Sequence, residues 1–95
     1  MIVKKHILDD NSLMLAICDD DLIGKKIENE TTCLNLDSEF YKGKALNKKE
    51  VGVLIKEARI INVVGEKSID LLHQKKLVKK ISYVKKIPYA QITNL

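Results

Sequence analysis

The stretch NVVGEKSIDLL, Asn62 to Leu72, carries the residue types of a phosphate site. An apolar stub is followed by a glycine, an acid, a base and a hydroxyl, and then by a helical pattern. A P-loop needs G-x-x-x-x-G-K-[ST], so that several backbone N–H groups wrap the phosphates. Here Gly65 stands alone and Glu66 separates it from Lys67. A dinucleotide loop needs three glycines. Neither pattern is met, and Glu66 would repel an anion. Glu66 reads instead as a first-turn acid that complements the positive end of its own helix. Free N–H groups at that helix start could still take an anion weakly. Asn62, Glu66 and Ser68 gather at one tight corner.

A second chemical stretch is CDDD, Cys18 to Asp21. Carboxylates at the end of a strand can hold Mg²⁺. They are also common turn and cap residues, which is the simpler role. Lys25 and Lys26 follow closely and partly neutralise them. Cys18, Cys33, His6 and His73 would reach the four ligands of a structural zinc site, but their spacing matches no zinc or C-x-x-C pattern. No Ser–His–Asp or Cys–His order stands out. Both cysteines are expected to be buried free thiols. FYKGK, Phe40 to Lys44, sets aromatics beside bases as a base-stacking surface does. Four aromatics in the whole chain are few for a stacking platform. KKIPYAQ places Tyr89 and Gln91 beside Pro88 and two lysines, as a recognition edge or a sheet margin. A helix–turn–helix DNA reader fits poorly, because its second helix would carry Glu66 and Asp70 toward phosphate. No cofactor and no metal is implied.

Charge is divided along the chain. Residues 1–41 carry a net −5 and residues 42–95 a net +9. The basic half could attract nucleic acid or an acidic partner. Its candidate contacts are Lys75, Lys76, Lys79, Lys80, Lys85 and Lys86. Against this, sixteen of the seventeen bases are lysine, and Arg59 is the lone guanidinium. Arginine is the residue that forks onto phosphate and guanine edges. Ninety-five residues suggest one domain. No apolar run approaches the roughly 20 residues of a membrane helix, and the start is too short in apolar residues for a signal peptide. The expected location is the cytoplasm, with no membrane partner.

The elements that must position these residues follow from periodicity. MIVKKHIL and LMLAIC read as a hairpin, the second strand apolar on both faces as a central strand is. LIGKKIE and TCLNL read as two short strands, with Gly24 marking a bulge or bend. Asn47 and Glu50 form a capping box ahead of Val51, Leu54, Ile55 and Ala58 at helical spacing. Nothing between Glu57 and Ile60 is a turn residue, and helix-to-strand joints usually need two to six residues. A first helix running on to about Val64, ended by Gly65, is therefore favoured over a strand at 60–64. A second helix starts near Glu66, with Ile69, Leu72 and Leu77 as its stripe. ISYVKKI alternates as one strand, with Ile81, Tyr83 and Ile87 on one face, and Pro88 bars it from continuing as a central strand. YAQITNL is an edge strand or a tail. The fold class is α+β: a single domain, residues 1–95, with a mainly antiparallel sheet of about five to six short strands and two helices packed on it.

Taken together, CDDDLIGKK, FYKGK, NVVGEKSIDL and IPYAQI resemble a small archaeal family known as domain of unknown function number 424. The resemblance covers nearly the whole chain and keeps the order of all four blocks. Cys18, Asp19, Leu22, Gly24 and Lys25 match the first, and Phe40, Tyr41 and Gly43 the second. Asn62, Gly65, Glu66 and Ser68 match the third, and Pro88, Ala90 and Gln91 the fourth. Tyr89 stands where relatives often have histidine, which argues against acid–base or metal chemistry there. The resemblance implies an archaeal cytoplasmic protein and supplies no activity.

Three functions are compatible with these residues. The first is a non-enzymatic binding module whose basic half meets RNA or a partner in an RNA-handling or translation complex. The second is a small-ligand binder or enzyme with Asp19, Lys25, Asn62, Glu66, Ser68 and Gln91 in one cleft; Asp19 and Asn62 on opposite faces would exclude it. The third is a homo-oligomer joining acidic and basic halves.

Overall fold

The computed structural model describes residues 1–93. The apolar N-terminal segments form strands β1 (Ile2–Ile7) and β2 (Leu13–Cys18), paired as the expected antiparallel hairpin. A short 3₁₀ turn over Asp20–Leu22 leads to β3 (Lys26–Glu28) and β4 (Cys33–Asn35), which among the described residues pair only with each other. Gly24, at φ +85°, supplies the bend between the 3₁₀ turn and β3. Then come β5 (Lys44–Ala45), α1 (Lys48–Glu57), β6 (Ala58–Val64), α2 (Glu66–Gln74), β7 (Ser82–Val84) and β8 (Ile87–Thr93).

Six strands build the main sheet in the order β5-β1-β2-β6-β8-β7. The central pair β2/β6 is parallel and every other pair is antiparallel. Alternation along the strands sorts side chains onto two faces. Leu15, Ile17, Ile61, Val63 and Ile92 meet Val51, Ile55, Ile69 and Leu72 of the helices. On the opposite face Cys18, Val64 and Val84 pack under Leu22 of the 3₁₀ turn, Leu34 of β4 and Leu36 just after it.

The architecture matches the expected α+β class, but three local expectations are corrected. Residues 60–64 are strand, not a continuation of α1. The joint needs no turn residue because Ala58 serves both elements: its extended backbone begins β6 while its N–H donates to the Ile55 and Leu54 carbonyls. The register then slips, Leu13 facing Ala58 and Met14 facing Ile60, so Arg59 is a bulge. Arg59 is exposed there and pairs with Asp10 in the β1–β2 turn.

ISYVKKI is not one strand. Lys85 and Lys86 stand at φ 46° and 70° and form a two-residue turn between β7 and β8. Such turns normally carry Asn-Gly, and two lysines hide the signal. The buried residue of β7 is Val84, while Tyr83 is exposed. β8 is not an edge strand either, since it lies between β6 and β7. The β6/β8 register, continued one step, sets Pro88 opposite Gly65. The Pro88 carbonyl accepts from the Gly65 N–H at 2.8 Å, and the Gly65 carbonyl accepts from Ile69 in α2. The missing proline donor therefore leaves no acceptor unsatisfied. The last two residues of YAQITNL lie outside the described residues.

Candidate functional site

The chemical stretches meet where β2 and β6 end. α2 opens on Gly65 at φ 107°, with no side chain to cap it. The first N–H groups of a helix have no partner within it. Asp19 supplies one from the adjacent strand end. Its Oδ2 accepts from the Lys67 N–H at 3.1 Å, and its Oδ1 accepts from the Ser68 N–H at 2.8 Å and the Ser68 hydroxyl at 2.6 Å. The Asp19 N–H donates to the Val64 carbonyl at 3.1 Å, locking the two strand ends together. Gly65 is required twice over. Its φ belongs to the region that disfavours side chains, and a Cβ there would fall on the Asp19 carboxyl group. The phosphate cradle is thus filled by the protein's own carboxylate, a charge-assisted cap at the positive end of α2.

Asp19 and Ser68 are both buried. Burial pushes the neighbouring Cys18 thiol up to about 12, and the carboxylates of Asp19, Asp21 and Asp20 add to the effect. A thiol so held is neutral at ordinary pH and is no nucleophile. Cys33 departs from expectation by being exposed. His6 lies against Phe40, stacked at 4.5 Å, with Nε2 at 3.0 Å from the Phe40 carbonyl. Among the described residues no group of three or more His, Cys, Asp or Glu side chains could hold a metal ion.

The six residues expected in one cleft are divided by the sheet. Asp19 and Ser68 are joined on the helix face, and exposed Glu66 begins α2 beside them. Asn62 alternates with Ile61 and Val63 and so faces the other way; its amide donates to Met14 Sδ at 3.5 Å. Gln91 is its register partner on β8. Lys25 is exposed at the foot of the β3–β4 ribbon, its backbone bonded to Leu22 and Leu36. Asp19 and Asn62 lie on opposite faces, so the six do not line a single cleft.

Residues 6–95 match the family described as "Protein of unknown function (DUF424)". The chain belongs to this family. A solved structure similar to this DUF424 chain is an uncharacterized conserved protein from Methanopyrus kandleri, at TM-score 0.77 and 24% identity. The match covers 96% of this chain and 88% of that one, and it speaks to the fold alone. No curated protein matches.

The corner gives three of the four sequence blocks of this DUF424 chain a structural reason. CDDD supplies the cap, NVVGEKS the helix start it caps, and IPYAQ the carbonyl that holds Gly65. The fourth block, FYKGK, packs Phe40 on His6 and Tyr41 against the cluster of Cys18 and Leu22.

The candidate lysines are all exposed. Lys75, Lys76, Lys79 and Lys80 follow α2, and the Lys75 side chain reaches back over Gly52 of α1. Lys85 and Lys86 form the turn before β8, at the end of the sheet where α2 starts. α2 is nine residues long, so roughly 13 Å of helix separates its two ends. Sequence reasoning missed a second basic surface: a groove of about 730 Å³ between α1 and the β5–β1 edge, lined in part by Lys4, Lys5, Lys42 and Lys44. These lysines come from two separate segments, and only the pairing of β5 with β1 brings them together.

Proposed function

We propose that this DUF424 chain is a non-enzymatic, cytoplasmic binding module whose basic C-terminal half docks on RNA within an RNA-handling or translation complex. The observation that carries this reading is the state of the six lysines. None of Lys75, Lys76, Lys79, Lys80, Lys85 and Lys86 makes an ion pair among the described residues. The ion pairs among the described residues involve other groups: Asp10 with Arg59, Asp37 with Lys42, and Asp20 with the Met1 amino group. Lys76, Lys85 and Lys86 also hold left-handed backbone, a costly conformation for a side-chain-bearing residue. Backbone strain of this kind tends to persist where function needs a fixed presentation.

Phosphate neutralisation by about six lysines predicts loss of affinity on the order of 10³ between about 50 and 200 mM salt. Filter retention of a structured RNA across that range tests it. Steep salt dependence, weakened further by Lys79→Glu with Lys80→Glu, is expected. No retention at the low-salt end would remove the proposal.

A further inference from the structure

We propose that the groove between α1 and the β5–β1 edge binds an extended acidic segment of a protein partner. This surface is distinct from the six lysines above and would give the module a second partner. The argument begins with the edge itself. Among the described residues β5 pairs only with Ile2 and Val3, whereas β1 continues to Ile7. The Met1 amino group bonds the Leu46 carbonyl, and the Leu46 N–H bonds the Met1 carbonyl. In an antiparallel pair the residues that exchange both bonds alternate with those that do not. Lys5 and Ile7 therefore turn their N–H and C=O groups outward, and no backbone bond to them forms on that side among the described residues. An unpaired row of strand N–H and C=O groups is a template on which another chain can lie.

Charge selects the occupant. Lys4, Lys5 and Lys44 line the groove and form no ion pair among the described residues. Lys42 is already paired with Asp37 at 3.1 Å. The one acid in the lining, Glu50, is turned to the α1 cap, where it accepts from the Asn47 N–H. The remaining wall is apolar, and Val53 stands 57% exposed there. Exposed apolar surface rimmed by charge marks a docking site. In register Lys5 lies beside Leu15 and Lys44 beside Val3, so both lysines share the helix face of the sheet with Leu54 and Val53 of α1, and an acidic strand added at this edge would turn one row of carboxylates to that face. A second copy pairing edge to edge would place lysines opposite lysines, which repel. An RNA would leave the apolar wall and the outward amides of β1 unused.

The test is amide NMR on the whole protein with a short peptide alternating Glu with Val, its Lys–Val counterpart, and an RNA oligonucleotide. The acidic peptide should shift Lys5, Ile7, Lys44 and Val53 selectively, and the basic peptide should not. Lys5→Glu with Lys44→Glu should weaken binding roughly tenfold or more, and Val53→Asp should also weaken it, with the remaining amide spectrum retained. Absence of shifts at millimolar peptide overturns the proposal. So does displacement of the peptide by RNA, which would assign the groove to nucleic acid. Shifts that grow with protein concentration alone, showing a second copy in the groove, overturn it as well.

Discussion

α1 and α2 solve the same problem in opposite ways. α1 caps itself: the Asn47 side chain accepts from the Glu50 N–H at 2.8 Å, and the Glu50 carboxylate accepts from the Asn47 N–H at 3.1 Å. Four neighbouring residues in the exposed chain suffice. α2 begins on a glycine and takes its cap from Asp19, 48 residues before Lys67. That cap exists only when β2 and β6 lie side by side. A local cap stabilises a helix, whereas a remote one also reports that the sheet has assembled. The buried cap should matter more, because losing it leaves polar groups stranded away from water.

This contrast can be broken experimentally. Gly65→Ala should be the most damaging change, since it strains the backbone and expels the Asp19 carboxylate together. Urea denaturation should show a loss of roughly 3–5 kcal/mol. Asp19→Ala removes the cap without the strain and should lose roughly 2–3 kcal/mol. Asn47→Ala, the equivalent change at α1, should lose about 1 kcal/mol. If Asn47→Ala proves as harmful as Asp19→Ala, the distinction between the two caps is wrong. The smallest effect is a gain: Lys85→Asn with Lys86→Gly relieves the left-handed turn and should add about 0.5–1 kcal/mol. The same double variant should bind structured RNA more weakly, which separates stability from the proposed function.

The division between local and remote also explains what could be read from residues alone. The capping box at Asn47, the β1–β2 hairpin and the buried strand Leu13–Cys18 were legible because each signal lies within a few residues. The α+β class followed from those elements. The strand Ala58–Val64 was hidden because Ala58 ends one element and begins the next, while the bulge at Arg59 disturbs the alternation. The Lys85–Lys86 turn was hidden because neither residue announces left-handed backbone. At the corner, sequence pattern marked Asp19, Gly65 and Ser68 as notable but did not show that the first caps the helix the other two begin. Only the pairing of β2 with β6 decides that Asp19 reaches α2. The same pairing separates Asn62 from Asp19, because alternation along β6 turns Asn62 toward Met14.

The Asp19 cap has one more consequence. It behaves as a tethered competitor. A carboxylate built into the chain confronts the α2 amides at an effective concentration far above the millimolar range of a flexible linker. A free phosphate or phosphorylated metabolite would have to displace it while also leaving a buried charge without partners. Adding inorganic phosphate at millimolar levels should therefore leave the amide signals of Lys67 and Ser68 in place, although the residues around them are those of an anion site.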